Sequence, residues 1–191
     1  MIYLVRHGET EFNREQRIQG RSESVLTELG REQSHAYAAL LARLIGDAEG
    51  WRLVSSPLVR ARATAEAIGE RLGLAVEIEP LLTEVGCGEW KGQLLPDLMA
   101  ADPPTFADRF WFFRGPGGDT YDDVLGRVSA WLAAQSPEPD RRVIAVSHGV
   151  AGRILRGVYA GMDPITTMNQ DVPQDAIFRL ARGAVERLAC D

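Results

Sequence analysis

Residues 2–8 read Ile2-Tyr3-Leu4-Val5-Arg6-His7-Gly8: four apolar residues, β-branched and aromatic types among them, that stop at a cation, an imidazole and a glycine. So short and unbroken an apolar run suits a strand buried on both faces, as in a parallel sheet. Its abrupt polar end marks a carboxyl edge, and ligands of open α/β sheets bind beyond such edges. The same pattern returns far along the chain, where Arg142 to Val146 reads as a strand ending in Ser147-His148-Gly149. The chain has three histidines, so two of them placed after strands and before glycines are expected to face each other. His35, inside a helical pattern, is read as structural.

Working outward, Leu26, Leu29, Tyr37, Leu40, Leu41 and Leu44 recur at helical spacing with Arg31, Glu32 and Arg43 between them, an amphipathic helix. Trp51 to Val54 reads as a second strand, followed by Ser56 as N-cap and Pro57 at the first helical position. Ala61, Ala65, Ile68 and Leu72 then share a face until Gly73 ends the helix. Ala75 to Ile78 is a third strand, Pro80 to Gly92 an irregular stretch, and Leu94 to Ala101 weakly helical. Val124, Val128, Trp131 and Leu132 define a helix capped by Asp119 or Thr120, and another helix follows His148 to about Tyr159. Ala176 to Leu180 and Val185 to Leu188, around Arg182-Gly183, read as a closing antiparallel hairpin. Alternating strands and helices predict an α/β fold, a three-layer αβα sandwich with a mostly parallel sheet, in one domain spanning residues 1–191.

Of the 191 residues, 45% are hydrophobic and 25% charged, the composition of a soluble globular protein. The net charge of −6 argues against a nucleic-acid or anionic-membrane partner, which would need a broad basic field. The charge is uneven, however: residues 1–62 hold nine Arg and eight Asp or Glu, so the excess acid lies in the remainder. Cys87 and Cys190 form no paired motif, and Arg6 interrupts the first apolar run too early for a signal peptide. The expectation is a cytoplasmic protein without a membrane span.

Arg6 adjoins His7, and Arg60 lies in the first turns of the helix after the second strand. Guanidinium forks fit phosphate oxygens, and a helix N-terminus attracts anions, so the expected ligand is a phosphate. Surface ion pairing of Arg60 and Arg62 with Glu66 is the plainer alternative. Zinc ligation by the histidines is disfavoured, because neighbouring arginines repel a metal. The stretch Gly115-Pro116-Gly117-Gly118 is neither a dinucleotide fingerprint nor a P-loop.

Arg6-His7-Gly8-Glu9-Thr10 with Asn13 resembles the signature of the histidine phosphatase superfamily, the phosphoglycerate mutase-like proteins. The likeness continues in order through Gln19-Gly20, Leu26 to Gly30 with Gln33, Ser55 to Leu58 with Arg60-Ala61 and Thr64-Ala65, and Leu82, Glu84, Gly88 and Trp90 to Gly92. It ends with Gly118-Asp119-Thr120 and Ser147-His148-Gly149 with Arg153. The resemblance implies His7 as nucleophile, His148, Arg6 and Arg60 around the phosphoryl group, and Asn13, Gln19, Gly20 and Gly149 as further substrate contacts. It also implies Glu84 as the group that protonates the leaving oxygen and later deprotonates water, a role needing a carboxyl with its pKa raised toward neutrality. Without the resemblance, Glu89 competes for that role. Neither metal nor cofactor is implied.

Lys91 and Glu23 depart from the residues that family members often carry there, which touches the substrate pocket rather than the chemistry. The chain's brevity favours a phosphatase acting on a small phosphate ester, with a mutase dependent on 2,3-bisphosphoglycerate as the alternative and a non-catalytic phosphate-binding module as the lesser one. The aromatic segment Phe106 to Phe113 reads either as an apolar lid or as core or homodimer packing.

Overall fold

The computed structural model describes residues 1–190. Strand β1 (Ile2–Arg6) leads through the short helix α1 (Glu11–Arg14) to the long helix α2 (Glu28–Ile45). Then come β2 (Arg52–Ser55), α3 (Val59–Leu72), β3 (Val76–Ile78) and two 3-10 turns at Pro80–Leu82 and Gly88–Trp90. Helix α4 (Leu95–Ala101) and further 3-10 turns at Pro103–Phe106 and Arg109–Phe113 precede α5 (Tyr121–Ala133). The chain closes with β4 (Val143–Ser147), α6 (Gly149–Ala160), α7 (Pro164–Asn169), β5 (Ala176–Ala181) and β6 (Ala184–Ala189).

The six strands form one sheet in the order β3-β2-β4-β1-β5-β6. β1 to β4 run parallel, and the hairpin β5-β6 is antiparallel and closes one edge. Successive strand residues point to opposite faces. Tyr3, Val5, Leu53, Ile144 and Val146 therefore meet Tyr37, Leu41, Ala61, Ala65 and Ile68 of α2 and α3, while Ile2, Leu4, Val54, Val143 and Ala145 meet Val124, Val128, Trp131, Val150 and Ile154 of α5 and α6. That is the three-layer α/β architecture. Each fully buried Ile or Leu here contributes about 1.5–3 kcal/mol of transfer free energy.

Several local expectations are corrected. Leu29 and Leu44 belong to α2 but are exposed, so its buried stripe is Tyr37, Ala38, Leu40 and Leu41. Ser56 and Pro57 do not open α3: the N-cap is Leu58, without a side-chain bond, and Glu23 supplies the acceptor for Val59 N–H at 2.9 Å. A carboxylate at that end also suits the helix dipole. Trp51 precedes β2 and stacks on Tyr3. Of the two candidate caps for α5, Thr120 is the one, in a reciprocal capping box with Asp123.

Candidate active site

β1 and β4 are direct neighbours with Arg6 opposite Ser147, so the next residue of each strand, His7 and His148, emerges at the same carboxyl edge. Their rings lie 5.2 Å apart, centroid to centroid, and both are buried. His7 Nδ1 is 2.8 Å from the Gly8 carbonyl, which can only accept. Arg60 Nε, which can only donate, is 3.2 Å from His7 Nε2. Both contacts demand the same neutral tautomer, with the proton on Nδ1 and the lone pair on Nε2. Burial, then the Arg60 and Arg6 charges, hold the His7 pKa well below its ordinary 6.5. Burial, Arg60 and His7 do the same to His148, whose Nε2 is 2.7 Å from Ser56 Oγ and whose Nδ1 has no partner.

Arg60, on the first turn of α3, is fully buried and donates to the carbonyls of Gly20 at 2.7 Å and Ser22 at 2.8 Å; no ion pair with Glu66 forms. Gly20 has φ +51°, and a Cβ there would press on Cys87, so glycine suits this turn beneath the guanidinium. Arg6 donates to the Val172 carbonyl, and its buried Nε has no partner. Asn13 closes the capping box of α1 through Oδ1, which accepts from Thr10 N–H at 3.1 Å. Gln19 Oε1 is buried without a partner.

Glu84 is buried, and its carboxylate accepts three backbone N–H bonds: Val85 at 2.9 Å and Ala151 at 3.0 Å on Oε1, Val150 at 3.1 Å on Oε2. Two of these donors, Val150 and Ala151, belong to the N-terminal turn of α6. Glu89 is exposed and takes no part. A cleft of about 380 Å³ gathers Arg6, His7, Asn13, Gln19, Gly20, Arg60, Glu84 and Gly149. His148 does not line it but borders a smaller cavity together with Arg6 and Gly149. His35 is exposed on α2, at a separate groove.

The chain matches the family model of the histidine phosphatase superfamily (branch 1) over residues 2–183. It belongs to that superfamily. Glucosyl-3-phosphoglycerate phosphatase of Mycobacterium tuberculosis is 36% identical over 161 residues, 78% of this chain and 70% of that protein. The probable phosphoglycerate mutase GpmB of Erwinia tasmaniensis is 33% identical over 165 residues, 84% and 75% of the two chains. Among solved structures, a mycobacterial glucosyl-3-phosphoglycerate phosphatase complexed with VO3 superposes with a TM-score of 0.81 at 29% identity, covering all of this chain and 98% of that one. Reading the chain as a phosphoric monoester hydrolase agrees with the phosphatases among these relatives.

Four side chains brace this cleft in ways a sequence reading does not show, although Asp119 stood in it as a cap candidate and in the Gly118-Asp119-Thr120 block. Asp119 Oδ2 accepts from Gly86 N–H at 3.0 Å, Arg21 at 2.6 Å and Arg127 at 3.1 Å. Arg127 also donates to the Thr83 carbonyl and Arg21 to that of Glu84, so this buttress fixes the backbone on both sides of Glu84. Gln174 Nε2 donates to the His7 carbonyl at 3.1 Å. The aromatic segment divides: Trp111 and Phe112 line the cleft, whereas Phe110 and Phe113 pack on Tyr121. Among the described residues, no helix is long and apolar enough to cross a membrane.

Proposed function

We propose that the protein is a metal-independent phosphatase that hydrolyses a small phosphate monoester through a phosphohistidine on His7. The observation that carries this reading is the fixed tautomer of His7, whose Nε2 lone pair is available at neutral pH beside the guanidinium of Arg60. Phosphoryl transfer asks a protein mainly for position and for positive charge around the equatorial oxygens. Arg6 and Arg60 supply the charge, with Asn13, Gln19, Gly20 and the Gly149 backbone completing the cradle. His148 enters neutral, and a phosphoryl dianion would favour its protonation.

In the first step, Nε2 of His7 attacks phosphorus, the bond from phosphorus to the ester oxygen breaks, and the leaving oxygen takes a proton from the Glu84 carboxyl. Arg60 Nε then donates to a phosphoryl oxygen instead of the lone pair now committed to phosphorus. In the second step, Glu84 takes a proton from water, the oxygen attacks phosphorus, and the bond to nitrogen breaks. His7 and the Glu84 carboxyl are restored, and inorganic phosphate is released. The VO3 complex of the similar phosphatase supports an oxyanion site of this kind.

Phosphate release from a panel of phosphomonoesters by chelator-treated wild type and His7→Ala tests the reading. It requires release by wild type, loss in the variant, and an acid-labile phosphoprotein in quenched reactions. The likeness to the probable mutase GpmB gives one further reading. Under it, 3-phosphoglycerate would be isomerised only with a 2,3-bisphosphoglycerate primer, with little phosphate released.

A further inference from the structure

Five guanidiniums line the cleft, those of Arg6, Arg17, Arg60, Arg109 and Arg153, against the single carboxylate of Glu84. Arg6 and Arg60 flank His7. Arg17 is paired with Glu15 at 2.6 Å and donates to the Gly92 carbonyl at 2.9 Å. Arg109 and Arg153 are left over. Arg153 projects from α6, is 4% exposed, donates through Nε to the Gln170 carbonyl at 2.8 Å, and lies 5.7 Å from the Phe112 ring centroid. Arg109 opens the 3-10 turn of the aromatic segment. Among the described residues, no carboxylate forms an ion pair with either.

The acids that could balance them are already engaged. Glu84 holds three backbone N–H groups, and Asp171 pairs with Arg156 and Arg187. Burial and then the charge of Arg109 push the Arg153 pKa down to about 10, which leaves it protonated at neutral pH. Arg153 is buried and Arg109 exposed, both lining one cavity, and a buried cation beside a like charge is stabilised when an anion joins the two. Trp111 and Phe112 lie beside them on the cleft wall, a less hydrated setting in which a charge-assisted bond is stronger than in open water.

We infer that the substrate carries a second anionic group, a carboxylate or a second phosphate, which Arg109 and Arg153 hold while the phosphoryl group to be transferred lies at His7. This rests on the phosphatase reading above and adds the substrate class.

Matched esters test it: 3-phosphoglycerate against glycerol 3-phosphate for a carboxylate, and fructose 1,6-bisphosphate against fructose 6-phosphate for a second phosphate. Wild type should favour the doubly anionic member of one pair by roughly tenfold or more in kcat/KM, chiefly through KM. Arg109→Ala should erase most of that ratio, and Arg109→Lys should restore part of it. Calorimetric affinities of the same ligands for His7→Ala need no turnover and should show the same ratio. Equal values within both pairs by both measurements, or a ratio unchanged in Arg109→Ala, would overturn the inference. Hydrolysis without the ratio sinks this inference alone, whereas selective binding without any hydrolysis sinks the phosphatase reading and leaves the anion subsite standing.

Discussion

Arg60 Nε donates into His7 Nε2 at 3.2 Å, so the nitrogen proposed to attack phosphorus is held by the cation proposed to receive the phosphoryl oxygens. The remaining guanidinium nitrogens are fixed by the Gly20 and Ser22 carbonyls, which sets the fork before substrate arrives. A lysine keeps the charge but not the planar three-way geometry. Arg60→Lys should lower kcat on the order of 10²-fold, by analogy with loss of one oxyanion donor. Steady-state phosphate release on a protein with an unchanged circular dichroism spectrum checks it.

The two histidines tie stability to pH. Each has a folded-state pKa well below its ordinary 6.5, so below 6.5 the unfolded chain binds protons that the folded state refuses. Their contribution is therefore complete above pH 6.5 and is lost as pH falls toward the folded values, with a slope of up to about 1.4 kcal/mol per pH unit for each histidine. Urea unfolding between pH 7.5 and 5 should show the decline, and His148→Gln should flatten it. A slope unaltered by that substitution would mean that other groups carry it.

Glu84 should reveal its role through the leaving group. Glu84→Gln keeps one acceptor oxygen, enough for the N–H groups of Val85 and Ala151 but not also for that of Val150, and has no proton to give. Turnover of alkyl phosphates should fall by roughly 10²–10⁴. 4-Nitrophenyl phosphate, whose leaving group departs without protonation, should lose much less in its first step. Burst kinetics with the two ester classes separate that step from hydrolysis of the phosphoenzyme.

Asp119 acts on the same carboxylate through the backbone. Asp119→Asn removes the charge that joins Arg21, Arg127 and Gly86 N–H, and hydrogen bonds to charged groups contribute about 1.5–3 kcal/mol. The expected signature of a positioning residue is a kcat reduced by about tenfold with KM little changed, as a small misplacement of Glu84 would give. A uniform loss of folded protein with normal kcat per folded molecule would reduce Asp119 to a structural role.

The parts legible in sequence were those with a local signal. The apolar runs of β1 and β4 end in His-Gly, and Arg60 sits a fixed step beyond β2, so one sheet edge could be assembled from three short stretches. Asp119 was legible as a cap candidate and in the Gly118-Asp119-Thr120 block, but its bracing role and that of Gln174 have no local signal, because their partners Arg21 and His7 lie 98 and 167 residues away. Ser56 carried the signal of a helix cap, yet its hydroxyl meets His148, and the exposed Glu23 from a distant loop took the capping place. Helix α7 was missed although Asp163-Pro164 is an N-cap followed by proline, a readable start for so short a helix. Arg153 was legible as part of the last block of the resemblance and Arg109 only as one charge in an aromatic segment; that both reach the same cleft is set by the fold.

The loop after His7 is held by close backbone contact as well as by side chains. A Cβ on Gly30, in the first turn of α2, would stand 2.0 Å from the Glu9 carbonyl oxygen, and one on Gly8 would stand 2.2 Å from the Gly30 carbonyl oxygen. Both obstacles are main chain, so neither can move aside as a side-chain tip would. Gln33 and Thr27 fasten the same loop, through Glu9 N–H at 2.7 Å and the Glu9 carboxylate at 2.8 Å. Alanine ordinarily favours a helix over glycine by about 1 kcal/mol, and at this position that preference is opposed by an overlap that must displace the segment carrying His7. Gly30→Ala should therefore lower stability by about 1–3 kcal/mol and reduce kcat together with it. Gly126→Ala, where a Cβ meets open space in the middle of α5, is the control and should stabilise the protein without altering turnover. Thermal melts and phosphate release on both variants decide the matter: a Gly30→Ala protein as stable and as active as wild type would show that the His7 loop does not depend on this close approach.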